Sequence, residues 1–198
     1  MRQARGKTHN LVGRAGEIVQ DGALGEGHKL LALTFMNGAR RRLDARLGEN
    51  PAFRRRFDCQ TFDVFARTLA ARRRSLVTQA MQAEADALSE FDGPCALAAG
   101  LLQIEAVQKW VARSFPPILV DEAQDLDDHR MRILQGLSPS CRIVAAADAF
   151  QCLHNGRDTT PLWAGLKARA KHTASRWFGA QPSRAFWPPR WQCAKAGM

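Results

Sequence analysis

Two adjacent carboxylates, Asp121 and Glu122, follow the apolar run at residues 118–120 and are the side chains of this sequence best placed to do chemistry. The run follows two prolines and predicts a short buried strand. In an open α/β sheet, ligands bind at the carboxyl ends of the strands. Because adjacent side chains of a strand point in opposite directions, one carboxylate could hold Mg²⁺ through water while the other orients or deprotonates an attacking water. The alternative is an exposed acidic turn between a strand and a helix.

The residues Gly6, Lys7 and Thr8 form the second half of the phosphate-binding pattern G-x-x-x-x-G-K-[ST] and precede a helical pattern over about residues 8–20. In such a loop the backbone N–H groups surround the phosphates, the lysine reaches their oxygens, and the threonine hydroxyl binds Mg²⁺. The three residues alone are common by chance. The first glycine of the pattern falls on Met1, so we expect a loop that lacks the preceding strand which normally anchors it.

The composition is that of an ordinary soluble protein, with 45% hydrophobic and 24% charged residues in a chain of 198. No apolar run approaches the roughly 20 residues that span a bilayer, and the N-terminus has no signal-peptide pattern. We therefore expect a cytoplasmic protein without a membrane partner. The five cysteines are dispersed, so we expect reduced thiols and neither a disulfide framework nor a zinc site.

The net charge of +10 comes almost entirely from arginine, since only six of the 29 basic residues are lysines. The arginines cluster at residues 40–42, 54–56 and 72–74. A polyanionic partner is the natural inference, and nucleic acid is favoured over a membrane because no basic amphipathic helix with an aromatic face is evident. The alternative is that abundant arginine and alanine reflect a GC-rich genome.

Apolar runs that predict strands alternate with helical patterns along the chain. The predicted strands cover about residues 29–35, 57–62, 118–120 and 142–148. The predicted helices outside the segment 75–115 cover about residues 40–47, 63–74, 127–137 and 161–171. The segment 75–115 itself is rich in Ala and Leu and predicts two or three helices. We therefore predict an α/β fold with a mainly parallel sheet, helices on both faces and a small helical insertion at about residues 70–115.

The residues after Leu166 contain no Val, Ile or Leu, and their aromatic residues stand among Arg, Pro and Ser. Such a composition does not easily form a packed element. We therefore expect one domain over residues 1–171 and an irregular basic and aromatic tail over residues 172–198. The alternative is an arm whose aromatic side chains stack on single-stranded bases.

Five short segments follow one another within residues 1–158. They are G-K-T at 6–8, L-A-L-T-F-M-N-G-A at 31–39, Q-T-F-D-V-F-A at 60–66, V-D-E-A-Q-D at 120–125 and A-D-A-F-Q-C-L-H at 147–154. In this order they resemble the Walker A motif and motifs Ia, Ib, II and III of the UvrD/Rep/PcrA group of superfamily 1 DNA helicases. The match to motif II is complete. The resemblance implies that the fold is a RecA-like P-loop NTPase domain, the first of the two in those helicases.

The resemblance also implies ATP and Mg²⁺ as cofactors and single-stranded DNA as a partner. Lys7 would contact the β/γ phosphates, Glu122 would act on the attacking water, and Gln151 would sense the γ-phosphate. The full set of implied nucleotide contacts is Gly6, Lys7, Thr8, Asp121, Glu122 and Gln151, with Thr8 and Asp121 as the metal ligands. The implied contacts with single-stranded DNA are Thr34, Phe35, Asn37, Arg40, Thr61 and Phe62. Arginines 40–42 and 72–74 follow the two DNA motifs and would add positive charge for the phosphates.

Departures from the helicase pattern limit the expected activity. Asp63 stands where motif Ib has a histidine, and a carboxylate there would repel DNA phosphates. Nothing in the sequence resembles motifs IV, V and VI, which supply the second RecA-like domain and its arginine fingers. An arginine finger is worth about 10³–10⁵ in rate. We therefore expect a truncated domain, an incomplete ATP-dependent DNA helicase or ATPase, that binds Mg-ATP and single-stranded DNA but does not unwind DNA alone.

Three arrangements remain open for such a domain. A partner subunit could supply the second motor domain. The chain could instead be a non-catalytic nucleic-acid-binding protein with a vestigial ATP site. It could also be the ATPase half of an exonuclease complex of the RecB or AddA kind, in which a partner would carry the nuclease.

Overall fold

The computed structural model describes residues 11–13, 15–17, 19–54, 56–147 and 176–179, the last four as backbone only. Within these residues five parallel strands form one sheet in the order β2-β1-β3-β4-β5. The strands are β1 (Leu30–Thr34), β2 (Phe57–Thr61), β3 (Pro117–Val120), β4 (Arg142–Ala147) and β5 (Arg176–Gly179). The predicted α/β class and parallel sheet are therefore confirmed.

In the part of the chain that the structure describes, six α-helices with defined bounds connect or cover these strands. They are α1 (Asn37–Glu49), α2 (Phe62–Arg72), α3 (Gln79–Asp86), α4 (Asp92–Leu101), α5 (Glu105–Ser114) and α6 (Asp128–Leu137). Helical backbone at 11–13 and 15–17 leads into a π-helical turn at Val19–Ala23, and single 3-10 turns lie at Arg74–Leu76 and Ala123–Asp125. The helices α3, α4 and α5 lie between α2 and β3, where the Ala- and Leu-rich segment predicts helices.

The sheet is covered on both faces, because alternate residues of each central strand enter two separate hydrophobic clusters. In β1, Leu31 and Leu33 belong to the cluster under α2, α4, α5 and α6. Leu30 and Ala32 belong to the cluster under α1 and the N-terminal helical residues. All five residues of β1 and all four of β3 are buried. A parallel strand buried on both faces must be apolar throughout, which is why these two runs are recognisable in the sequence.

The register of the strands places their carboxyl ends along one edge of the sheet. Thr34 pairs with Thr61, and Leu33 pairs with Val120. Helices α1 and α2 start within three residues of the strands that precede them. The Thr61 hydroxyl accepts a hydrogen bond from the Val64 N–H at 3.4 Å and so caps α2. The loops at this edge are therefore short, and their ends are fixed by the sheet.

The segment that the sequence predicts as an irregular tail contains a strand. Backbone at Arg176–Gly179 pairs in parallel with Val144–Ala147 of β4. The helix predicted at about 161–171 lies outside the described residues. Among the helices that the structure describes, none is long and apolar enough to cross a membrane.

Candidate functional site

The carboxylates Asp121 and Glu122 lie at the carboxyl end of β3, one of the central strands of the sheet. The Asp121 N–H donates to the Leu33 carbonyl at 3.1 Å, which extends the pairing of β3 with β1 by one residue. The Asp121 carboxylate then accepts the Glu122 N–H at 3.1 Å through Oδ1. Both residues are half-buried. The backbone of Asp121 is thus held to the sheet, and its carboxylate bonds to the turn that carries Glu122.

Glu122 has left-handed backbone dihedral angles, with φ 56° and ψ 41°. Within the described residues, Arg54 is the one other non-glycine residue with a positive φ. This conformation costs an L-residue about 1–2 kcal/mol. The 3-10 turn that follows is closed by a hydrogen bond of 3.0 Å from the Asp125 N–H to the Glu122 carbonyl. Strain of this kind is concentrated at functional sites, because elsewhere a glycine relieves it at little cost.

The electrostatic surroundings of Glu122 favour its protonated form. Burial raises the pKa of its carboxyl group, and the neighbouring Asp121 and Asp125 raise it further. Arg42 acts in the opposite sense, with its guanidinium 3.9 Å from Oε1 of Glu122. A carboxyl group with a raised pKa at a sheet edge is a candidate general base or a group that awaits a cation.

The carboxylate oxygens of Asp121 and Glu122 fit a Mg²⁺ ion that is also bound by the phosphates of a ligand. Among the described residues no group of three or more His, Cys, Asp and Glu side chains is placed to hold a metal ion by itself. Mg²⁺ is commonly held by one or two carboxylates together with the phosphates of a substrate. Asp121 and Glu122 supply hard carboxylate oxygens of that kind, and a bound cation would oppose the influence by which Asp121 and Asp125 raise the pKa of Glu122.

The loop between β1 and α1 lies beside these carboxylates and is the exposed part of the edge. Phe35 is half-buried, Met36 is 62% exposed and Asn37 is exposed. The Thr34 hydroxyl donates to the Met36 carbonyl at 3.4 Å and holds the loop from below. Helix α1 has no side-chain cap at Met36, so its first N–H groups are not satisfied by a capping side chain. The loop presents an apolar surface next to helix N–H groups that the N-cap residue Met36 does not cap.

Arginines of α1 add positive charge to the same loop. Arg40 is half-buried, and Arg41 and Arg42 are exposed. The Arg40 N–H donates to the Met36 carbonyl at 2.9 Å, so the first turn of α1 and the loop form one unit. The predicted DNA contacts Phe35, Asn37 and Arg40 are therefore brought together.

Three other predicted DNA contacts have buried side chains and structural roles. Thr34 and Thr61 are buried, and their hydroxyls bond to the Met36 carbonyl and the Val64 N–H. Phe62 is 1% exposed and packs in the larger hydrophobic cluster. A buried side chain has little surface to offer a base, so these three side chains support the loops, and their contact with DNA stays a prediction.

The arginines at 72–74 do not lie at this edge. Arg72 is the last residue of α2 and Arg73 is its C-cap, so the length of that helix places them about 15 Å from its start. The Arg73 guanidinium lies 4.0 Å from the centre of the Trp110 ring, and that of Arg72 lies 6.0 Å from it. Arg72 and Arg73 therefore connect the end of α2 to Trp110 of α5 and do not extend the loop surface.

A buried arginine that the sequence does not reveal lies beneath the loop. The Arg130 side chain is 5% exposed and bonds to Asp63 at 2.6 Å, to Asp92 at 3.2 Å and to Asp127. Its guanidinium lies 5.0 Å from the centre of the Phe35 ring. The repulsion expected between Asp63 and DNA phosphates is thus reduced, since the carboxylate is paired. The Asp-x-x-Arg spacing of residues 127 and 130 is the one signal of this cluster in the sequence, and it does not identify Asp63 or Asp92.

The phosphate-binding residues Gly6, Lys7 and Thr8 and the γ-phosphate sensor Gln151 lie outside the described residues. The structure describes a surface pocket of about 490 Å³ lined by Arg56 and residues 26–29. It lies at the amino ends of β1 and β2, which is the opposite edge from the carboxylates.

No protein-family model matches the chain, and no curated protein matches its sequence.

Proposed function

We propose that this chain is a RecA-like P-loop domain of the UvrD/Rep/PcrA type that binds Mg-ATP and single-stranded DNA along the carboxyl edge of its sheet. The observation that carries the proposal is the position of Asp121 and strained Glu122 at the end of β3, next to the exposed loop between β1 and α1. Ligands of open parallel sheets bind at this edge. The resemblance of residues 31–39, 60–66 and 120–125 to helicase motifs supports the same assignment.

On the nucleotide side, Asp121 and Thr8 would hold Mg²⁺, which would neutralise phosphate charge when bound. Glu122 would accept a proton from the attacking water, and its raised pKa suits that role because a more basic carboxylate is a better proton acceptor. Lys7 would contact the phosphates, and Gln151 would respond to the γ-phosphate.

On the DNA side, the loop between β1 and α1 offers three kinds of contact. The half-buried ring of Phe35 and the exposed Met36 provide apolar surface for bases. Asn37 and the first N–H groups of α1, which Met36 does not cap, suit phosphate oxygens. Arg40 and Arg41 add charge that makes binding dependent on salt.

Isothermal titration of Mg-ATP into the chain tests the nucleotide side. We expect saturable binding by the wild type and loss of binding in Lys7→Ala. Lys109→Ala is the matched control, because Lys109 is an exposed lysine on α5 that pairs with Glu105 at 2.6 Å. Equal binding by Lys7→Ala and the wild type would reject the phosphate-loop assignment.

Turnover tests the role of Glu122. We expect Glu122→Gln to retain ATP binding and to lower any DNA-stimulated hydrolysis about 10²–10⁴-fold, the usual contribution of a general base.

Fluorescence anisotropy with a labelled single-stranded oligonucleotide tests the DNA side. Binding of DNA without binding of ATP would favour a nucleic-acid-binding protein with a vestigial ATP site.

A further inference from the structure

Arg130 is a fully charged side chain in a position that exposes only 5% of its surface. A buried charge is tolerated only when it is paired and hydrogen-bonded. The Arg130 guanidinium is paired with three carboxylates, those of Asp63, Asp92 and Asp127. Asp63 lies in α2, Asp92 lies in α4, and Asp127 is the N-cap residue of α6. One guanidinium therefore joins elements that are up to 67 residues apart in the sequence.

The same guanidinium also lies beneath the exposed loop. Its carbon is 5.0 Å from the centre of the Phe35 ring, within the range of a cation–π interaction. Phe35 as a whole residue is half-buried, and its ring lies against the arginine. Asp63, whose Oδ1 accepts a hydrogen bond from Nη2 of the same guanidinium, is the second residue of α2. Arg130 thus connects the Phe35 ring to Asp63 at the start of α2 and to Asp127 at the start of α6.

We propose that Arg130 is a positioning residue for DNA binding: it holds the Phe35 ring in the orientation that stacks on a base and fixes that ring to Asp63 and Asp127. This inference rests on the proposed binding of single-stranded DNA by the loop between β1 and α1. It adds a residue from α6, outside every motif of the resemblance, to the machinery of that site.

The choice of arginine follows from the geometry. A planar guanidinium can donate to several carboxylates and still present its face to an aromatic ring, whereas a lysine ammonium is a compact charge that cannot do both. Arg130→Lys therefore keeps the charge that the three aspartates require but loses the flat surface under Phe35. Arg130→Met removes the charge as well and leaves the three carboxylates without a cation.

The first test is the affinity for a labelled single-stranded oligonucleotide, measured by anisotropy well below the melting temperature of each variant. Stacking of one base on an aromatic side chain accounts for about 5- to 100-fold in affinity. We expect Arg130→Lys to weaken binding about three- to tenfold. Arg132→Lys is the matched control, since Arg132 lies on the same helix, is partly exposed and pairs with Glu84 at 2.9 Å. Equal affinities of Arg130→Lys and the wild type would overturn the proposal.

A double-mutant cycle separates positioning from general destabilisation. If Arg130 acts through the ring, Arg130→Lys should have little further effect in a Phe35→Leu background, whereas its effect should persist undiminished in an Arg41→Ala background. Equal, additive losses in both backgrounds would overturn the proposal, because they would show that Arg130 acts on binding independently of Phe35.

A measurement without DNA distinguishes failure of this inference from failure of the proposed function. With 4-fluorophenylalanine at position 35, the fluorine NMR line of the free wild-type chain should be dispersed from the random-coil position, and Arg130→Lys should move it towards that position. A wild-type chain that binds no oligonucleotide would overturn the proposed function, and the fluorine line would still decide whether Arg130 orders the ring. An unchanged line in Arg130→Lys would overturn the inference whatever the DNA result.

Discussion

The guanidinium of Arg42 lies 3.9 Å from Oε1 of Glu122 and connects the second turn of α1 to the carboxylates at the end of β3. The two sides of the candidate site are therefore in electrostatic contact. The arginine is 69% exposed, so solvent weakens the attraction, and the pair is a contact that a bound anion or cation would readily displace. Loss of the contact would remove the influence that lowers the pKa of Glu122.

The substitution Glu122→Gln should stabilise the fold at neutral pH. Burial raises the pKa of Glu122, with Asp121 and Asp125 adding to the effect, so ionisation of this carboxyl group opposes folding. The wild type keeps its full stability below the unfolded pKa of Glu and loses some as pH rises through the folded pKa. We expect Glu122→Gln to be more stable by about 0.5–1 kcal/mol at about pH 7, with the difference vanishing near pH 4. Urea denaturation at both pH values measures this, and a pH-independent difference would show that charge is not the cause.

The aromatic residues Phe35 and Phe62 should respond oppositely to replacement by leucine. Phe62 is 1% exposed in the core, so Phe62→Leu should lower the free energy of unfolding by about 1–2 kcal/mol and leave DNA affinity unchanged. Phe35 is half-buried in the loop, so Phe35→Leu should weaken single-stranded DNA binding at least fivefold and lower stability by less than about 1 kcal/mol. Denaturation and anisotropy on the same samples give both numbers. A loss of DNA affinity in Phe62→Leu but not in Phe35→Leu would show that Phe62, and not Phe35, contacts DNA.

The strands were the part of the fold most open to prediction from the sequence. β1 and β3 are buried on both faces, so they are unbroken apolar runs with polar residues at their ends. β5 was not predictable in this way, because residues 176–179 are Arg-Trp-Phe-Gly and contain no aliphatic side chain. Pairing with β4 gives that segment its structure, and pairing partners are not encoded in local periodicity.

The candidate site could be predicted in outline but not in detail. The position of Asp121 and Glu122 follows from a strand that ends at Val120. The motif at 60–66 spans the end of β2 and the start of α2. The sequence does not tell which of its side chains are buried, and the structure shows that Thr61 and Phe62 are. The pairing of Asp63 with Arg130 spans 67 positions and depends on how α2 and α6 approach, which no spacing rule provides.

The buried cysteines should be unreactive in the native protein. Burial raises the pKa of the Cys95 and Cys141 thiols to about 12, and that of Cys59 to about 12 with a further contribution from Asp44. The thiolate is the reactive form, so at about pH 8 these thiols should react with iodoacetamide more than about 100-fold slower than in denaturant. Peptide mass spectrometry after timed alkylation measures each site separately. Cys95 is fully buried, and its thiol donates to Asp63 Oδ1 at 3.5 Å. Rapid labelling of Cys95 in the native protein would therefore show that α4 opens readily.

The contact of α6 with the end of α4 should make Gly136 irreplaceable by alanine. A Cβ atom at Gly136 would lie 2.7 Å from Leu102 Cβ and 2.8 Å from the Leu102 carbonyl oxygen, and neither atom is at the end of a flexible side chain. We therefore expect Gly136→Ala to lower the free energy of unfolding by about 1–3 kcal/mol, as overpacking does in cores.

Gly48→Ala is the matched control for that contact. Gly48 lies in α1, and no atom of the described residues is within 4 Å of an added Cβ, so alanine there should raise stability by up to about 1 kcal/mol through its higher helix propensity. Guanidinium denaturation of the two variants and the wild type gives the comparison. Because α6 carries Arg130, Gly136→Ala should also weaken DNA binding if the helix shifts, whereas Gly48→Ala should not. A Gly136→Ala chain as stable as the wild type would show that α6 and α4 do not approach as closely as the contact with Leu102 requires.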